Sequence, residues 1–259
     1  MIRQLLLALT GSFALTASVM HGLTPSEKKI VDEARSRYYN LQASGFESLA
    51  CDVSYDLNSA PFSDLPPSLK ESLSLARVTL KINDRGIPTV NKQLPTSIQK
   101  DTVDQATQML NVVSSLVEGV FQTWPTKGFF GPIPPFDNQI NAIKITPEGY
   151  VFDLNVPGAP VLITTDRNFV TTLITSVGGR VLEKTTYSPS DKGLVFTGNG
   201  ALSKRDAEPP IEVDYHLDTQ VLDGMIVPAA VHVTVKPNID ARYTLTSCKV
   251  LRTAVVQVK

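Results

Sequence analysis

From Ile140 onward the chain is a succession of short apolar/polar alternations, each closed by a turn signal, and that spacing leaves few folds open. Residues 140–145, 150–156, 161–165, 169–175, 181–186, 194–202, 211–221, 227–235 and 243–250 read as strands. Between them stand Pro147-Glu148-Gly149, Pro157-Gly158, Gly178-Gly179, Asp191-Lys192-Gly193, Asp223-Gly224 and Pro237-Asn238. Connections this short cannot cross over a sheet, so neighbours in sequence are antiparallel neighbours in space. A meander whose strands share one apolar face predicts a curved sheet or open barrel.

Upstream the period changes. Thr24-Pro25-Ser26-Glu27 offers a capping hydroxyl, a proline at the first helical position and a Glu three residues after the cap. A helix is expected over residues 25–44, with Ile30, Val31, Ala34, Tyr38 and Leu41 on one stripe and Gly45 as its stop. Leu49, Cys51, Val53, Tyr55 and Leu57 then alternate with Asp52, Ser54 and Asp56, a strand with one wet face. Residues 61–67 read as loop, 68–75 as a short helix and 77–83 as a second strand closed by Asp84-Arg85-Gly86.

The middle of the chain predicts a long helix over residues 98–123. Val103, Ala106, Leu110, Val113, Val117, Val120 and Trp124 step by three and four, and Met109, Leu116 and Phe121 widen the stripe. Gln105, Gln108, Asn111, Ser115 and Gln122 make the other face polar but weakly charged. Such a helix buries one face against a sheet, and Pro125 ends it. The expected fold is α+β: a strongly curved antiparallel sheet, an unclosed β-barrel, with an N-terminal helix along it. The long central helix and the loop after it cover the concave face. No repeat or linker divides residues 23–259, which read as one half-barrel domain.

The 259 residues are 42% hydrophobic and 19% charged, with a formal net charge of −1. The chain is long enough for a sizeable core, and its scattered basic residues give no footprint for a nucleic-acid partner. Arg3 precedes an apolar run from Leu5 to Met20 that ends in small residues, the order of a secretory signal peptide over residues 1–22. An uncleaved membrane anchor is the other reading; export to the periplasm or medium is carried forward. No later segment has the length of a membrane span, so membrane contact is expected to be transient at most.

Cys51 and Cys248 are the only cysteines. In an oxidising compartment an even pair is bridged more often than free, although two buried thiols also fit the pattern. A bridge would bring the first and last strands together and restrain the unfolded chain by about 4–5 kcal/mol.

Motifs for chemistry are scarce. There is no H-E-x-x-H, G-x-S-x-G, P-loop or paired C-x-x-C, and no cofactor or metal is expected. Gly198-Asn199-Gly200 lies inside a strand pattern and reads as a bulge or bend. The best polar constellation is on the late hairpin, where a three-residue loop ending at Gly224 would set Asp214 across from His232, with His216 on the diagonal. In that register Ile211, Val213, Tyr215, Leu217 and Val221 share the apolar face with Val227, Ala229, Val231, Val233 and Val235. Two histidines and a carboxylate could perform acid–base work, making a hydrolase one alternative, but a solvated face with cross-strand polar pairs explains them as well.

The apolar accounting points elsewhere. Trp124, Phe129, Phe130, Ile133 and Phe136 fall within thirteen residues, four of them in the uncharged stretch "GFFGPIPPF". Leaving such side chains in water costs roughly 1.5–3 kcal/mol each. They are expected to be covered, by the sheet as core or by a bound hydrophobic molecule, and sequence volume does not choose between the two.

The layout resembles the periplasmic lipoprotein carriers and outer-membrane lipoprotein-sorting proteins, with their mycobacterial lipid-binding relatives. The segments that carry the resemblance are "ARSRYYNLQASGFESLACDVSYDL", "VLITTDRNFVTTLITS" and "YHLDTQVLDGMIVPAAVHVTV". It implies an unclosed barrel whose hydrophobic concavity, covered by helices and loops, holds acyl chains. The chain departs from the family in its long, weakly charged central helix and its lone cysteine pair, and no family residue is carried over. The expected function is non-catalytic binding or carriage of a lipid or acylated protein, with an envelope protein as a further partner. Val113, Val117, Trp124, Phe129, Phe130, Ile133 and Phe136 are the expected ligand-lining residues. A structural envelope protein with a solidly packed concave face is the alternative from another class.

Overall fold

The computed structural model describes residues 22–98, 102–156, 160–176, 180–204 and 209–253. The expected leader, apart from Gly22, lies outside the described residues, as do His21 and the Pro157-Gly158 and Gly178-Gly179 turns.

Among the described residues, twelve strands form one antiparallel sheet that does not close. The first three are β1 (Phe46–Tyr55), β2 (Arg77–Ile82) and β3 (Pro88–Gln93). The meander follows as β4 (Ile140–Ile145), β5 (Gly149–Leu154), β6 (Val161–Asp166), β7 (Thr171–Ser176) and β8 (Val181–Ser190). It continues through β9 (Gly193–Ser203), β10 (Ile211–Leu222), β11 (Met225–Val235) and β12 (Ile239–Arg252). The spatial order is β3-β2-β1-β12-β11-β10-β9-β8-β7-β6-β5-β4, so the meander runs in sequence order and then docks its last strand on the first. β3 escaped the sequence reading because Thr89 to Gln93 is largely solvated and shows no apolar alternation.

The β1–β12 seam is where the cysteines meet. Ala50 pairs with Lys249 and Asp52 with Thr246, so β12 carries one extra residue there, and Ser247 takes it up with φ 50°. Cys51 and Cys248 are disulfide-bonded across this bulge, 197 residues apart in sequence. Such a bond belongs to an oxidising, non-cytoplasmic compartment. No helix among the described residues is long and apolar enough to cross a membrane.

Helices α1 (Pro25–Ser36), α2 (Pro67–Ser74) and α3 (Val103–Thr123) lie against the sheet. The capping box forms as its residues predict, with Glu27 N donating to Thr24 Oγ1 (3.3 Å) and Thr24 N to Glu27 Oε2 (2.9 Å). α1 ends at Ser36, eight residues before its expected last residue, Ser44, because the start of β9 intercepts the chain. Leu194 N donates to Arg37 O (2.8 Å) and Tyr39 N to Leu194 O (3.0 Å). Gly193, at φ 111°, permits this approach, since a Cβ there would sit 2.9 Å from Arg37 O. α3 likewise begins later than expected, at Val103.

The apolar residues divide into two clusters on the one sheet. The larger joins α3 and α2 to the inner faces of β1, β2 and β9–β12. The smaller joins Val31 and Ala34 of α1 to Ile140, Phe152, Ile163 and Ile174 of β4–β7. Adjacent tyrosines tie α1's end to both. Tyr38 enters the smaller cluster, donating to Phe169 O (2.5 Å) and accepting from Thr171 N (2.9 Å). Burial pushes its phenol pKa up, which keeps the donor protonated. Tyr39 packs in the larger cluster and accepts from Ile226 N (3.1 Å). Tyr38→Phe should therefore cost about 1–3 kcal/mol, read as a lower urea midpoint with unchanged slope, because it strands a buried amide and carbonyl.

Candidate functional site

The stretch after α3 packs as core. Pro125 does not simply stop the helix; Pro125–Phe129 form a π-helical turn in which the amides of Lys127, Gly128 and Phe129 all point at Trp124 O. Gly128 is required there, because a Cβ would lie 2.3 Å from Trp124 Nε1. Phe129 is fully buried among Phe46, Trp124 and Phe130, and its carbonyl accepts from Leu41 N (3.0 Å). Gly131, at φ 82°, turns the chain past Tyr38, and Ile133 drops into the smaller cluster. Arg35 then fixes the far end, donating from Nε to Pro134 O and from Nη1 to Asp137 Oδ1, both at 2.7 Å. The Arg35 hydrogen bond holds the Asp137 carboxyl below its ordinary pKa. The stretch is thus a strap between the two apolar clusters.

Six of the seven residues expected to line a ligand site pack against protein: Val113, Val117, Trp124, Phe129 and Ile133 are buried, and Phe130 is half-buried against the larger cluster. Phe136 departs from the expectation of cover, being 66% exposed. None of the seven borders the apolar cavity described next.

That cavity lies on the other flank of α3, has a volume of about 290 Å³ and is bounded by β8–β11. Ser115, Gly119 and Thr123 follow one another at four-residue spacing, so small side chains run in a line along the helix and leave a groove. Leu116 and Val120 form its helical wall, while Val181, Ala201, Val213, Val233 and Val235 form the wall from the sheet. Ser115 and Gly119 are exposed, which leaves the groove open along the helix, whereas Val120, Tyr215 and Val233 are buried at its base.

One end of the groove is polar. Tyr215 and Thr123 hydroxyls lie 2.5 Å apart, and burial pushes the Tyr215 phenol pKa well up. Glu183 projects from β8 and pairs with the buried ammonium of Lys127, one turn beyond Thr123. Asn199 Nδ2 also donates to Glu183 Oε2 (3.0 Å). Gly198 is required beside Asn199, since a Cβ there would lie 2.7 Å from Tyr215 O, whereas at Gly200 a Cβ would meet only the Asp214 side chain. The β8–β9 register also shifts beside this triplet, between Thr186–Gly198 and Tyr187–Phe196, which makes the expected bulge.

The apolar row of β10 and β11 and the place of Leu116 in the helix stripe are visible in the sequence, but nothing local joins them. The signal for the groove was the Ser115, Gly119, Thr123 spacing, which becomes meaningful only once the opposite strands are known.

The histidine constellation changes with the hairpin register. Leu222 pairs with Met225 across a two-residue turn, Asp223 (φ 48°) and Gly224 (φ 76°), in place of the expected three-residue loop. A second shift follows, since Asp218 pairs with Ala230 and Thr219 with Pro228, leaving Ala229 unpaired. Together they move the pairing two residues: His216 faces His232, and Asp214 faces Thr234. They also turn Val221, expected inside, out to 66% exposure. His232 Nε2 lies 2.5 Å from Asp240 Oδ1 and His216 Nε2 lies 3.5 Å from Asp218 Oδ1, each a separate surface pair. Asp214, His216 and His232 therefore do not converge as a triad.

The chain matches no family model, no curated protein and no solved structure.

Proposed function

We propose that this is an exported, non-catalytic protein that binds a hydrophobic ligand, a lipid or the acyl chain of a lipoprotein, in the cell envelope. The observation that carries the reading is the apolar groove of about 290 Å³ between α3 and β8–β11. That volume is at the low end for small-molecule sites, so one acyl chain suits it better than a multi-chain lipid. Binding there would come from apolar burial, with the polar groups at one end fixing orientation. The leader-like residues 1–22 and the Cys51–Cys248 disulfide support export. The resemblance to lipoprotein carriers supports delivery of the cargo to a membrane or acylated partner, without a reaction and without stable insertion of the carrier.

The test is titration with N-phenyl-1-naphthylamine, a neutral fluorophore that brightens in apolar surroundings, alongside native mass spectrometry of protein purified from its envelope. Saturable binding at one site and a co-purifying lipid-sized mass are the expected results. Gly119→Trp should weaken the fluorophore about tenfold or more, because a Cβ at Gly119 meets nothing within 4 Å and the indole can fill the groove. The variant should keep its urea midpoint. No saturable binding, or binding that Gly119→Trp leaves unchanged, overturns the reading. The tight burial of Trp124, Phe129 and Ile133 favours a second reading, a structural envelope protein with a packed concave face. That reading gains if the protein stays ligand-free.

A further inference from the structure

The polar end of the groove is dominated by acceptors. Thr123 has one hydroxyl proton, and it goes to Val120 O (3.0 Å). The Tyr215 hydroxyl therefore donates to Thr123 Oγ1 (2.5 Å), and what Tyr215 can still offer a ligand is its oxygen lone pair. Asn199 is 4% exposed; its Nδ2 donates to Glu183 Oε2, and its Oδ1 is buried with no hydrogen-bond partner. Glu183, when ionised, only accepts. The nearby cation, Lys127, is itself buried, is paired with Glu183 and does not border the groove.

We infer that the groove selects a single-chain amphiphile whose head group donates hydrogen bonds and carries no negative charge, an alcohol or an amine, over one with a carboxylate or phosphate head. The inference rests on the hydrophobic-ligand reading and names the class of ligand within it. Asn199 borders the groove, and with its amide turned toward the ligand a donor head would satisfy Oδ1, which otherwise stays buried and unpaired at an energetic cost. An anionic head would lie against two acceptor oxygens and the Glu183 carboxylate, surrendering its hydration with only the second Nδ2 proton of Asn199 to replace it. The ligand's single chain would lie along Ser115, Gly119 and Thr123 between Leu116 and the valines of β10 and β11.

The test is competition against bound N-phenyl-1-naphthylamine at neutral pH by four ligands with the same ten-carbon chain: decanol, decylamine, decanoate and decyl phosphate. Decanol and decylamine should displace the fluorophore at concentrations about tenfold or more below those of the two anions. Asn199→Leu should reduce that preference to about threefold or less while the fluorophore still binds. Tyr215→Phe, which removes only a hydroxyl, should reduce it in the same direction and serves if the Asn199 variant fails to fold. Anions that compete as well as decanol overturn the head-group inference. They leave the groove itself standing, provided the fluorophore binds and Gly119→Trp excludes it. Fluorophore that does not bind at all overturns both.

Discussion

Replacing Cys51 and Cys248 together by alanine should lower the free energy of unfolding by about 3–5 kcal/mol. The bond closes 197 residues, and on the chain-entropy account a loop of that length restrains the unfolded chain by about 5 kcal/mol. It also has a place in the topology that a terminal staple would not have. β1 and β12 are the seam joining the three-stranded N-terminal part, β3-β2-β1, to the nine-stranded meander. Cutting the bond leaves strand pairing and the shared apolar cluster to hold that seam in the unfolding equilibrium. Urea titrations with and without reductant check this: the variant should ignore reductant and match the reduced natural protein. A loss below about 1 kcal/mol would mean that the two parts stay associated in the unfolded chain.

Phe129→Ala should cost about 3–5 kcal/mol. Phe129 is completely buried, and three aromatic neighbours surround it edge-on, with ring centres at 5.2 Å (Phe46), 5.7 Å (Trp124) and 4.7 Å (Phe130). Truncation loses both the transfer energy of the ring and these contacts, and the π-helical turn that holds it cannot readily collapse into the space, since Gly128 is already against Trp124. The same variant separates core from site. Phe129 does not border the groove, so under native conditions fluorophore affinity should stay within about twofold of the natural protein while the urea midpoint falls. A stability loss under about 1 kcal/mol would show that the strap is dispensable to the larger cluster.

Much of the architecture was legible because its signals are local. Alternation of period two marked every meander strand, though β8 and β12 run longer than their apolar positions, to Ser190 and Arg252. The turn glycines and prolines forced antiparallel neighbours. Thr24-Pro25-Ser26-Glu27 announced a capping box that depends on four consecutive residues only. α1's early end was not legible in the same way, since the helical stripe continues through Tyr38 and Leu41; the competing partner is Leu194, more than 150 residues away.

The relation between the parts of the candidate site is not legible in the sequence. "GFFGPIPPF" reads as too apolar for a bare surface, and of its large apolar side chains only Phe136 is exposed. Its position between two clusters on one sheet decides what covers it, and the cover is protein: Phe129 belongs to one cluster and Ile133 to the other. The hairpin histidines show the sensitivity most sharply, because one residue of turn length and one unpaired Ala229 together re-pair the strand by two positions.

Element type, the antiparallel meander and an apolar helix over a sheet are thus legible in the residues alone, which leave the two cysteines either bridged or as buried thiols. The register, the Cys51–Cys248 bond, the strap's role and the groove emerge only from the folded chain. The reason is physical: periodicity and turn chemistry act between residues a few positions apart. A cavity is instead the mismatch between two surfaces, here the small-residue line of α3 and strands some 60–120 residues downstream, and neither surface carries it alone.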